Sequence, residues 1–215
     1  MTRPLVGIDF FADVVCPWCY VAWAALKSAA ERQREALGVK LVWRTFLLNP
    51  DTPPDGLDRP AVLASMFAGA PDKAAASKAA LESAAAAAKT PLNLDAATRI
   101  PNTAHAHRLI HWAAQAGAAE AVIDAIFQAY FVAGADIGDI GVLSDLGDQA
   151  GLDAAASIRT RLESGEDREL MLRLHAAAAQ IGVQGVPMAI LNRKVPIMGA
   201  ESPAVYAAAL LKAVS

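Results

Sequence analysis

The sequence predicts an α/β protein whose single small sheet is split by a long all-helical insertion. Three observations predict it. Leu5–Phe11 is apolar and rich in β-formers, and a helical pattern follows it closely. From about Pro60 to Ile181 the apolar spacing is helical almost throughout. After Gly182 strand-like runs return. The order is therefore β-α-β, a helical block, then β-β-α. The strands are too few, and too far apart in sequence, to build two sheets. Residues 1–55 and 182–215 are read as one discontinuous domain and residues 56–181 as the inserted helical domain.

Each element has its own signal. Leu5–Phe11 reads as a buried strand. Pro17 suits the first turn of a helix, where its missing N–H is not needed, and that helix runs to about Leu37 before Gly38. Val39–Leu48 is the second strand, ended by Asn49-Pro50, with a right-handed crossover expected. Asp51–Pro60 is a loop of Pro, Gly and Asp. Helices are expected at Pro60–Phe67, Asp72–Lys89, Asn102–Ala116, Ala118–Ala133, Ile140–Ala150, Asp153–Leu162 and Asp167–Gln180. The Ala84–Ala88 tract is read as helix because alanine has the highest helix propensity. Asn102 and Asp139 look like N-caps. Val186–Leu191 and Lys194–Met198 pair through a turn at Asn192-Arg193, and Ser202-Pro203 opens a closing helix to about Val214.

Hydrophobic residues make up 55% of the 215 and charged residues 19%, enough for a sizeable core. The net charge is −3 and no basic cluster is present, so nucleic acid is not an expected partner. Asp9 interrupts Leu5–Phe11, which is too short and too acidic for a signal-peptide core. No apolar run approaches membrane-spanning length. A cytoplasmic protein with no membrane partner is expected, of open oligomeric state.

Both cysteines of the chain lie in Cys16-Pro17-Trp18-Cys19, on the expected first turn of a helix. There the first thiol meets unpaired backbone N–H groups and the positive end of the helix dipole. Both favour the thiolate, the nucleophile of disulfide exchange. A four-thiolate zinc site lacks two cysteines, and a Cys/His site has only His107 and His111 at ligand-like spacing, without further support. No metal is expected. A purely structural disulfide would close too short a loop to constrain the unfolded chain much. An intracellular CxxC beside a strand-helix-strand pattern reads first as a redox motif.

The layout resembles the thioredoxin fold, and its details resemble the DsbA family of thiol-disulfide oxidoreductases, especially the FrnE-like branch. Asp13-Val14-Val15-Cys16-Pro17-Trp18-Cys19-Tyr20 is similar to that family's active-site segment, and Trp43–Pro50 to its second strand. Pro101-Asn102-Thr103 with His107–Trp112, and Ala129-Tyr130-Phe131 with Asp136–Asp139, resemble signatures of its helical domain. Gly185-Val186-Pro187 resembles the Val-Pro loop of the superfamily, where the proline is cis.

The resemblance implies thiol-disulfide exchange with protein thiols, or with glutathione as a redox co-substrate, and no bound cofactor. Cys16 is expected to attack from a solvent-facing position and Cys19 to resolve from a buried one. Pro17 and Trp18 shape the loop, and Val186 and Pro187 offer backbone to a substrate strand. Asp13 is a candidate for moving the Cys19 proton, or a plain turn residue. Asn49, Asn102, Thr103, His107 and Met188 are candidates for the substrate groove, with a helix cap the alternative for Asn102 and strand packing for Met188. His105, His111 and His175 are read as surface or core histidines. One rival is a glutathione-dependent isomerase or transferase related to 2-hydroxychromene-2-carboxylate isomerase. Those enzymes typically keep a serine where Cys16 stands. Another is a non-catalytic chaperone, which would keep its activity without either cysteine.

Overall fold

Strand pairing defines the architecture. The structure, a computed structural model, describes residues 3–214. The main sheet has the order β2-β1-β5-β6. β1 (Leu5–Ala12) pairs in parallel with β2 (Gly38–Thr45) and antiparallel with β5 (Met188–Leu191), which pairs antiparallel with β6 (Val195–Met198). α1 (Pro17–Arg32) connects β1 to β2, and α9 (Pro203–Lys212) closes the chain against α1. Between β2 and β5 come α2 (Arg59–Met66), α3 (Pro71–Ala88), α4 (Ala104–Ala116), α5 (Ala119–Phe131), α6 (Ile140–Gln149), α7 (Ala155–Glu163) and α8 (Arg168–Gln180). The sheet gathers strands from both ends of the chain, as the resemblance to the thioredoxin fold implies.

β1 alternates as a central strand must. Val6, Ile8 and Phe10 enter the main core with α1, whereas Phe11 enters a second cluster with Phe46, Ala178 and Val183 on the α8 side. The main core continues into the helices through aromatic contacts. Trp43 meets Phe10 at 6.0 Å, Trp23 of α1 at 6.0 Å and Phe127 of α5 at 5.9 Å. Tyr20 stacks on Phe131 at 5.4 Å. Such edge and stacked pairs add about 0.5–1.5 kcal/mol each beyond their burial.

Several elements end elsewhere than expected. α1 stops at Arg32, not near Leu37: bonds from Arg34 N to Glu31 O and from Ala36 N to Gln33 O tighten the exit and tuck Leu37 into the core. β2 stops at Thr45 rather than Leu48: Phe46 N–H still donates to Ala12 O, but the following N–H groups find side-chain acceptors, Leu47 N–H on His175 Nδ1 and Leu48 N–H on Asp13 Oδ2. Asn102 is not the N-cap of α4. That position is Thr103, whose side chain caps nothing, while Asn102 Oδ1 accepts the Ala104 N–H from one residue earlier. Asp139 and Ser202 do cap α6 and α9. A two-stranded ribbon, β3 (Leu57–Asp58) with β4 (Arg99–Ile100), was not legible in its loop-like sequence.

Arg108, fully buried on α4, holds the end of α7. Its guanidinium donates to the carbonyls of Glu166, Leu162 (2.9 Å) and Arg161 (2.6 Å), and to His105 Nδ1 (2.8 Å). The Arg161 guanidinium lies 4.0 Å from the Trp112 ring on the same seam. Burial, then the charges of Arg108 and Arg168, push His105 down to about 4 from 6.5. Two outcomes are expected. Arg108→Met removes four hydrogen bonds from this buried seam and costs about 3 kcal/mol in denaturant unfolding. Below pH 6.5 the unfolded chain protonates at His105 before the folded one does, so stability falls as pH drops from 6.5 towards 4. His105→Gln keeps an acceptor for Arg108 and should flatten that part of the pH curve.

Candidate active site

The β1–α1 junction is built to expose a helix N-terminus. Asp13 O accepts the Cys16 N–H at 3.2 Å, which turns the chain out of the sheet. Cys16 is the N-cap of α1 (φ −85°, ψ 113°), Pro17 is N1, and Cys19 falls at N3, one turn along. Cys16 O accepts the Cys19 N–H at 3.0 Å and the Tyr20 N–H at 3.2 Å. The two thiols are unbonded.

Cys16 differs from its expected exposure. It is 5% exposed and Cys19 is fully buried. What covers Cys16 comes from the far end of the chain: its Sγ lies 3.8 Å from Val186 O. The Val186–Pro187 peptide bond is cis. Pro17 and Trp18 are half-buried, and Trp18 packs on the main core. Burial raises the Cys19 thiol well above its ordinary range, reinforced by a hydrogen bond with the Cys16 side chain and by the charges of Cys16 and Asp13. The Asp13 backbone, hydrogen-bonded to the sulfur, pulls the other way. Reduced Cys19 is accordingly a thiol.

Asp13 is 1% exposed and fully hydrogen-bonded. Its Oδ2 accepts the Leu48 N–H at 2.8 Å, and its Oδ1 lies 3.2 Å from His107 Nε2. His107, fully buried on α4, receives the Trp43 Nε1–H on its Nδ1 at 3.3 Å. Three elements thus meet at one carboxylate. His111, one turn further along α4, bonds Gln115 instead.

The other groove candidates do not gather. Asn49 is exposed and its carbonyl closes the 49–52 turn on Thr52. Asn102 Nδ2 donates to Thr52 O at 2.6 Å. Thr103 is buried and its carbonyl accepts the His107 N–H. Met188 packs on the second cluster with Phe11 and Val183, the strand-packing alternative. A cleft of about 580 Å³ between the 47–55 loop and the starts of α4, α6 and α8 takes in Asn102 alone of these residues. His175 anchors Leu47 N–H and meets Phe46 edge-on. Trp43 had no part in the site read from residue types. Its only signal was an indole N–H on an otherwise apolar strand face.

The family model described as a DSBA-like thioredoxin domain matches residues 7–211. The chain belongs to that family. It is similar to a probable DsbA oxidoreductase from Streptomyces coelicolor, with 30% identity, a TM-score of 0.83, and coverage of 97% of this chain and 90% of that one. Two more distant structures share the fold. The cytosolic disulfide reductase DsbM from Pseudomonas aeruginosa, solved with GSH, is 20% identical with a TM-score of 0.63, covering 97% of this chain and 98% of its own. A 2-hydroxychromene-2-carboxylate isomerase is 17% identical with a TM-score of 0.71, covering 96% and 95%. With its CxxC pair intact, this member of the family is a thiol-disulfide oxidoreductase. No helix among the described residues is long and apolar enough to cross a membrane.

The unequal burial of the two sulfurs has a direct readout. In the reduced native protein a small alkylating agent should modify Cys16 first, and Cys19 only on unfolding, followed by mass spectrometry of quenched samples. Equal native rates would contradict the burial difference.

Proposed function

We propose that the protein exchanges a Cys16–Cys19 disulfide or dithiol with protein thiols and disulfides, with glutathione as a small co-substrate. Cys16 attacks and Cys19 resolves. The observation that carries this is the placement of the two unbonded thiols at the N-cap and N3 of α1, with Val186 O beside the first. At the N-cap, Cys16 sits where the helix dipole favours an anion. The backbone next to Pro187 is placed to hold an extended substrate strand by main-chain hydrogen bonds.

In the reducing direction the Cys16 thiolate displaces one sulfur of a target disulfide. A mixed disulfide forms and the first thiolate leaves with the electron pair of the broken S–S bond. Cys19 then attacks Cys16 Sγ, the Cys16–Cys19 bond forms, and the second thiolate leaves. Oxidation of a target dithiol is the reverse.

Residues 1–55 supply the redox pair in this reading, residues 182–215 supply the Val186 backbone beside it, and residues 56–181 form the inserted helical domain. The glutathione assignment draws support from the bound GSH of the related DsbM structure. The FrnE-like assignment draws on the CPWC segment and the helical-domain motifs. Both cysteines are committed to one pair, so no structural disulfide is needed, which suits the reducing cytoplasm. The isomerase reading is disfavoured by Cys16 itself, since a serine typically occupies that place in those enzymes.

Cys16→Ser should abolish disulfide exchange with a glutathionylated or disulfide-bonded peptide. Cys19→Ser should accumulate the mixed disulfide, seen as an adduct on Cys16 by intact-mass measurement. Full turnover by Cys19→Ser without an adduct would reverse the assigned roles. Aggregation suppression that survives loss of both thiols, with no exchange by the wild type, would favour the chaperone reading.

A further inference from the structure

The resolving step has a chemical requirement that the cysteines do not meet. Cys19 is a buried thiol and must lose its proton to attack. Its side chain is fully buried, so an acceptor within the protein is the direct route. The Asp13 carboxylate is buried in the same interior, in the turn whose backbone bonds the Cys19 sulfur, and its charge acts on Cys19.

That carboxylate is held by a device on another element. Trp43 carries only a donor, so its bond to His107 Nδ1 requires that nitrogen to be unprotonated. The ring proton is then on Nε2, pointing at Asp13 Oδ1. The Trp43 and His107 rings also pack at a tilt, with centroids 5.8 Å apart. Neutral His107 thus donates to Asp13 on one side while the Leu48 N–H donates on the other. Each carboxylate oxygen is thus held in place by one donor.

We propose that His107 is a positioning residue for disulfide exchange: with its tautomer set by Trp43, it holds Asp13 as the acceptor of the Cys19 proton when the mixed disulfide is resolved. The inference rests on the exchange reading above. In the step, Cys19 Sγ gives its proton to Asp13 and its electron pair to Cys16 Sγ. The Cys16–substrate S–S bond breaks, and its electron pair leaves on the substrate sulfur. Asp13 returns the proton to that thiolate or to solvent, so nothing is consumed beyond the substrate.

The test separates the two phases of one turnover. Reduced protein is mixed with a disulfide-bonded peptide and acid-quenched at intervals, and the adduct on Cys16 is followed by mass spectrometry. The ratio of the resolution rate to the attack rate is the readout. In His107→Leu and in Asp13→Asn this ratio should fall about ten-fold or more. His107→Gln should recover to within about three-fold of wild type, since one amide can donate to Asp13 and accept from Trp43. A wild-type ratio in His107→Leu, or a His107→Gln ratio as low as that of His107→Leu, overturns the proposal. If His107→Leu does not fold, Trp43→Phe replaces it. That change frees Nδ1 and should lower the ratio by at least about three-fold, and an unchanged ratio overturns the proposal. If the wild type forms neither the adduct nor the Cys16–Cys19 disulfide, the exchange reading itself fails and takes the proposal with it. Adduct formation with unaffected resolution in the variants defeats the His107 role alone.

Discussion

The pairing of β1 with β5 is the constraint on which the site depends. Phe11 lies opposite Met188, and Phe10 opposite Ala189, so the residues before Met188 must arrive at the end of β1. Cys16 and Val186 are brought together by that register and by nothing local. A slip of one residue would turn Met188 and Ile190 toward α1 and Ala189 and Leu191 toward α8, reversing which cluster each one fills. The two hydrophobic clusters therefore lock the register, and the register places the backbone carbonyl beside the sulfur. The residues between β2 and β5 build most of the remaining core without altering this alignment.

Asp13 plays the corresponding part for the helical residues. It takes N–H groups from the end of β2 and from α4, which joins the sheet's rim to the helix carrying His107. Trp43 reaches the same histidine from the opposite side while packing against Phe10, Trp23 and Phe127. One indole therefore serves packing with its face and polarity with its edge. A buried carboxylate is tolerated here because its oxygens are met by donors, in line with the general rule that buried charges are paired. Arg108 offers the opposite case on the same helix: a buried cation satisfied by carbonyls at and just beyond the end of α7.

The sequence made the scaffold legible because its signals are local. The apolar run of β1, Pro17 at N1, the capping Asp139 and Ser202, and the Asn192-Arg193 turn each act within a few residues. The family resemblance extended that reading to Val186 and Pro187. What stayed hidden needs partners from distant segments. The end of β2 depends on Asp13 and His175 as acceptors, and the start of α4 depends on Asn102 being drawn to Thr52. Met188 resembled a groove residue by its place after Pro187, but strand alternation sends it to the α8 side. His107 stood out as a polar residue on an apolar helix face. Its pairing with Asp13 was not legible, because spacing along α4 says nothing about what the sheet presents to it.

The separation of β1's two neighbours along the chain also orders events in time. During synthesis β1, α1 and β2 emerge together and can associate at once, since their contacts are close in sequence. The other edge of β1 stays open until Leu191 has left the ribosome, after all the helices between β2 and β5. A nascent chain thus carries an unpaired central strand, with Phe11 uncovered, for most of its elongation. Its thiols are complete from the nineteenth residue onward, but the backbone that covers Cys16 arrives only near the end. The half-made protein would be a reactive cysteine pair on an open sheet edge, and closure of the fold is what confines that reactivity.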